Sequence, residues 1–520
     1  MILIIMMITV SAFTSAFADS SSDSSAPPEP PTGSSLGEQP PEPPDGEAPQ
    51  GQPPQGNPPG GQSSGNVTYQ GATEFTSDTN ESGKNYSSET SGEQALLVSG
   101  GSSTIDKATV TKSGDSDGDD ADFSGTNAAI LVNDGSLNIT GSDITTNGEH
   151  ANAVFATDKG EINISDSTIT TSSNCSGGIM VTGGGTLTAT DLTVKTSGRS
   201  SAPIRSDRGG GTITVNGGTY ESSGAGSPVV YSTADITVNN AKMTSTASEG
   251  IVVEGKNSVT LNSVDLTADN NQLNGQSETY KAIFLYQSMS GDADEGTANF
   301  TAKDSKVNVL NGDTIYVTNT TAEIYLENNT ITNDSGDFMR IEAAAWGNEG
   351  SNGGNVKATL SNQKVEGNII VDSVSTLDLS LENHSVLTGS IDQENQASEV
   401  NLTLSEDSVL VLTGDTYVDS LTNAVIDNSN IYLNGHKLYV NGTETAANEG
   451  TYSDDQQETT EATTADTAQE EADSSASTAT YIIGGLVVAA LIAFAAVYSR
   501  KNRKEKSTCE PTDGDQQMLE

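Results

Sequence analysis

The sequence predicts an all-β protein, a single parallel solenoid with three short strands per coil, and three observations predict it. The first is an apolar triplet that returns along the chain, as Leu96-Leu97-Val98, Ile130-Leu131-Val132, Ile179-Met180-Val181, Ile251-Val252-Val253, Ile283-Phe284-Leu285, Ile315-Tyr316-Val317 and Ile369-Ile370-Val371. Its mean period is about 27 residues, in the range of solenoid repeats. The second is a register of apolar positions x, x+2 and x+7 after each triplet, as in Leu137/Ile139/Ile144, Ile162/Ile164/Ile169, Ile236/Val238/Met243 and Val259/Leu261/Leu266. Alternation at x and x+2 marks a half-buried strand. The third is the residues just before x+7, such as TGSD, SDST, NGGT and NSVD, which are turn formers that tolerate left-handed backbone.

In chain order, residues 1–18 read as an export signal: an apolar run from Ile2 to Val10 leads to Ala16-Phe17-Ala18, with no Lys or Arg before it. Residues 19–65, rich in Pro, Gly, Gln and Ser, cannot bury a core and read as a disordered arm. Residues 66–445 carry the repeat. Residues 446–480 are an acidic, Thr-rich stalk, and Tyr481 to Tyr498 is an apolar run of membrane-spanning length. Arg500, Lys501, Arg503, Lys504 and Lys506 follow it, so the positive-inside rule places 499–520 in the cytoplasm and the body outside.

A solenoid explains the composition. Each coil stacks on the next at about 4.8 Å and only inward side chains need be apolar, so a hydrophobic fraction of 33% suffices. The tail after Tyr498 is neutral, so the whole formal charge of −49 belongs to the residues before it. Such a field argues against nucleic acid and other polyanions as partners. Cys175 and Cys509 fall on opposite sides of the expected membrane, which excludes a disulfide between them in one chain.

The repeat resembles the right-handed parallel β-helix superfamily, the architecture of pectate lyases and many adhesin-like surface proteins. The likeness rests on coil stretches such as IRSDRGGGTITVNGGTY and GIVVEGKNSVTL, after an arm containing PPEPPDGEAPQGQPPQGNPPGG. It is similar in this to exported β-helix proteins of anaerobic bacteria. The resemblance implies right-handedness. For the lyases it implies a cationic base and calcium that bridges substrate carboxylates, with no catalytic residue to carry over here.

Two connections, from Ile283 to Phe300 and from Met339 to Ala358, are about twice as long as the others and leave the same corner two coils apart. Their roots should lie about 10 Å from one another. One carries Asp292 and Asp294; the other carries Glu342, the only tryptophan Trp346, and Glu349. Arg205, Asp207 and Arg208 share that corner. A Trp on a Gly-rich loop can stack on a sugar ring or pack back onto the coils, and these eight residues are the candidate ligand site. Arg205 and Arg208 beside Asp207 read as an ion-paired group rather than a lyase base. At the opposite corner, Asp115, Asp117, Asp119, Asp120 and Asp122 form an acidic insertion, either a calcium loop or a solvated one. The three histidines, His150, His384 and His436, lie too far apart in register to assemble a site. The function expected is a membrane-anchored cell-surface protein that binds glycan or protein ligands as adhesins do. The alternatives are a polysaccharide lyase or hydrolase, or a passive structural spacer.

Overall fold

The computed structural model describes residues 67–274, 277–333 and 336–453. All of these residues belong to one compact unit. These residues form a right-handed parallel β-helix. A 23-stranded sheet holds the triplet strands and the x, x+2 strands together, a 10-stranded sheet holds most of the x+7 strands, and a 4-stranded sheet continues that face towards the C-terminal end.

Register follows the sequence pattern closely. Leu187 pairs with Ile213, Ile213 with Ile236, Ile236 with Val259 and Val259 with Phe300, all parallel. Their side chains point inward into one continuous core. Between the second and third strands, a left-handed residue turns the corner in coil after coil: Asp166, Asp191, Asn240, Ser263, Asp304 and Asn328 all have φ near +50°. Asn, Asp and Gly tolerate this conformation, which is why the tetrads before x+7 are rich in them. The residue after each corner points inward, and several carry a polar group that closes a ladder within the wall. Ser142 Oγ accepts from the Ala108 amide, and Ser167 Oγ from the Ser142 amide. Ser305 Oγ serves Val264 in the same way, and Asn329 and Gln363 extend the ladder.

In the early coils the first two strands run together, as in Leu96–Asp106, Ile130–Thr140 and Val154–Ser165. They separate at Ile179–Thr182 and Gly185–Thr190, where Gly183 and Gly184 both take positive φ. At the C-terminal end Leu438–Val440 pairs antiparallel with Thr443–Thr445 through Asn441-Gly442, both left-handed, as a two-residue hairpin requires. Aromatic pairs sit near both ends, Phe75 edge-on to Tyr86 and Tyr417 stacked on Tyr439.

The membrane assignment is corrected. Among the described residues no helix is long and apolar enough to cross a membrane. The helix they contain is Asp119–Phe123, five residues of which three are aspartate. The apolar run 481–498 lies outside the described residues, as do the export signal, the arm, most of the stalk and the tail. Apolar composition and length alone had carried the transmembrane helix. The single-pass topology, the membrane partner, the cell-surface location and the anchored adhesin-like function built on that helix are withdrawn with it.

Candidate functional site

Most triplets are buried at all three positions, as at Ile179–Thr182, Ile251–Glu254 and Lys281–Tyr286, whereas a wall strand with one solvated face would alternate, as Met339–Ile341 and Ile369–Val371 do. A run buried on both faces needs a second layer outside. The middle residues form that layer: Leu97, Leu131, Phe155, Met180, Arg205, Tyr231, Val252, Phe284, Tyr316 and Arg340 are stacked in register along the outer face of the sheet. Long connections fold back over this ladder and cover it from Leu97 to Tyr316, while Arg340 and Ile370 at its C-terminal end stay half-buried.

The N-terminal third of the ladder is apolar. Leu97, Leu131, Phe155 and Met180 pack with Ala128, and Tyr69 lies against them. The acidic insertion roofs this region, so it crosses the same outer face as the other loops, contrary to the opposite corner expected for it. Three of its five carboxylates hold separate partners. Asp115 Oδ1 accepts the Glu149 amide at 2.9 Å, Asp119 pairs with Arg208 at 3.1 Å, and buried Asp122 holds His150 Nδ1 at 2.9 Å. Asp117 and Asp120 are exposed. Among the described residues no group of three or more His, Cys, Asp or Glu side chains is placed to hold a metal ion.

The middle of the ladder is charged. Arg205, 3% exposed, donates from Nη2 to Asp207 Oδ2 at 3.0 Å and from Nη1 to the Ser200 carbonyl. Asp207 Oδ1 accepts the Arg208 amide. Arg208 is a rivet between three segments: Nε donates to Asp292 at 2.5 Å, Nη1 reaches Asp119, and the guanidinium lies 3.7 Å from the Phe123 ring centroid. Burial works against the Arg205 cation, but Asp207 and Asp122 outweigh it and the net shift holds the guanidinium charged.

The aromatic third follows. Tyr231, Val252, Phe284, Tyr286, Tyr316 and Trp346 form one cluster. Trp346 is 4% exposed, its ring centroid 5.3 Å from both Phe284 and Tyr286. Its own loop is fixed by Asn352, whose side chain donates to the Ala344 and Trp346 carbonyls. Glu254, fully buried, accepts hydroxyl hydrogen bonds from Tyr231, Tyr286 and Ser288. Lys281 is buried beside Glu249 and lies 4.3 Å from the Phe284 centroid; burial lowers the pKa of its ammonium while Glu249 pulls the other way. A cleft of about 50 Å³ remains between Tyr231, Phe284, Tyr286, Trp346, Glu249 and Lys281.

The structure therefore gathers Arg205, Asp207, Arg208, Asp292 and Asp119 in one ion-paired group, and Trp346 in the adjoining aromatic cluster. The two long connections do converge: the Asn319 side chain between them donates to the Gln287 carbonyl at 2.7 Å, and Tyr286 meets Trp346. Glu342 adjoins the cluster, accepting from the Tyr316 hydroxyl at 3.3 Å while it joins the Arg340 network with Asp313 and Asp337. Two candidates stand apart: Asp294 makes an exposed pair with Lys256, and Glu349 is exposed on its loop. Glu254, Tyr231, Tyr286 and Ser288 were not foreseen. The sequence signal for them was an acidic residue directly after a triplet, and Tyr at positions that face outward.

The class defined by this geometry is the right-handed parallel β-helix with a roofed outer face. No family model, no curated protein and no solved structure matches the chain.

Proposed function

We propose that the solenoid is a structural spacer, a stiff stack of coils that neither cleaves a polysaccharide nor depends on a bound ligand. The observation that carries this reading is the sealed outer face. Arg205, Asp207, Arg208, Asp292 and Trp346, the strongest binding candidates, are turned onto one another and hold the chain's own loops. Continuous parallel ladders and one uninterrupted inner core resist bending, because each coil contacts its neighbours along every wall. Arg205 is poorly suited to act as a lyase base, which must give up its proton, because the carboxylates around it favour its charged form.

The test is to incubate the full chain with acidic and neutral polysaccharides, with and without calcium, and follow unsaturated ends and reducing ends. The spacer reading predicts no product. Product that disappears in Arg205→Met and Asp292→Asn would replace it with the enzymatic alternative.

A further inference from the structure

Under the connection 287–296, three carboxylates are withdrawn from solvent: Asp207 and Glu254 are 0% exposed and Asp292 is 3% exposed. They come from three different segments and are tied together: Asp207 and Asp292 both hold Arg208, and Glu254 reaches the Asp292 amide through Ser288 and Ser290. Two cations face them, Arg205 and Arg208. Around this group stand the Tyr231 and Tyr286 phenols, the Asp122–His150 pair and the Cys175 thiol on the Arg205 side, and Asp119 at the solvent edge of Arg208. Asp292 Oδ2 is buried and receives no hydrogen bond.

We propose that Asp207 and Glu254, buried beside Asp292, form a pH-sensitive latch, which seats the connection 287–296 while one of the two holds a proton and releases it when that proton is lost. With one proton, the three buried carboxyl groups carry two negative charges against two guanidinium groups, and with Asp119 left in solvent the buried part of the site is balanced. Without it, one negative charge is left over in a water-poor volume, where desolvation makes an unpaired charge costly. The release acts on the connection because Asp292 and Ser288 are its attachments to Arg208 and Glu254. The inner core contributes nothing to the latch and stays closed.

The direction of the effect follows from the same groups. Burial pushes the Asp207 carboxyl up to about 7, with Arg205 opposing and Asp292 adding to the rise. Burial also raises Glu254, against the hydroxyls of Ser288 and Tyr231. A carboxyl whose folded pKa lies above its unfolded value of 3.8 contributes stability that is complete below that value and is lost as pH rises through about 7. The latch is therefore closed in mild acid and open in mild alkali.

Amide hydrogen exchange on the full chain tests this, at about pH 5.5 and about pH 8.5 with the intrinsic rate corrected. Protection across 287–296 should fall about tenfold or more between the two conditions, while the core strand Ser258–Asn262 keeps its protection. Asp292→Asn and Glu254→Gln each remove the surplus charge, and Gln keeps an acceptor for the hydroxyls, so both variants should lose the pH response. If one variant does not fold, the other decides. Unchanged protection in the wild type, an equal fall in the variants, or a core strand that opens along with the connection would each overturn the latch.

Discussion

The inner core and the outer seam are both buried, yet they are built by opposite rules. The core is a repeat: Leu261, Ala302, Leu326 and Leu360 follow one another down the wall, each in the place its register assigns. The seam is irregular, with leucine, methionine, arginine, tyrosine and phenylalanine occupying equivalent rungs of one ladder. Stacked coils share one set of inward contacts, so one pattern suffices for all of them. The outer rungs instead meet loops of different lengths, and each rung matches its own roof. The repeat thus sets the fold, and the seam individualises it.

Substitutions can break that contrast. The largest effect belongs to the core: Phe300→Ala removes a fully buried ring between two coils and should cost about 3–5 kcal/mol in global unfolding, measured by denaturant titration. In the charged seam, Arg205→Met leaves Asp207 buried without its cation, a loss of about 3–5 kcal/mol when the carboxylate stays ionised. Protonation of Asp207 relieves that penalty, and losing Arg205, which holds this carboxyl down, makes protonation easier still, so the variant's deficit should shrink as pH falls, visible in melting curves taken at several pH values.

Trp346→Ala should act locally. Because its partners lie on the outer face and its loop is held by Asn352, the expected result is faster proteolysis within 342–353 with little change in the melting of the coils. Smaller still is Gly442→Ala, which strains a left-handed hairpin position with open space around it and should cost about 1 kcal/mol. Replacing the exposed pair Lys195–Glu221 by Gln residues should leave stability unchanged.

These contrasts also explain what was legible in the sequence. The strands, their order and their left-handed corners could be read because one spacing, x, x+2 and x+7, is repeated with Asn, Asp and Ser before the last position. The roof was half legible. Three consecutive apolar residues already signal a strand covered on both faces, and Phe284 and Tyr316 are both middle residues of such triplets. Its closure was not legible, because Arg208 and Asp292 are 84 residues apart and nothing local marks them as partners. Asp119 was assigned to the opposite corner because its insertion begins there, yet the chain crosses to Arg208. The membrane helix failed differently: it rested on a segment outside the repeat, where neither register nor packing could check a reading from composition.

The central claim, that the outer face is sealed by the chain's own loops, is tested most directly by the fluorescence of Trp346, the only tryptophan in the protein. At about pH 6 the sealed seam predicts a blue-shifted emission poorly quenched by acrylamide, unchanged by added oligosaccharides. A red-shifted, readily quenched emission, or one that shifts on adding a sugar, would show an open face and contradict the account.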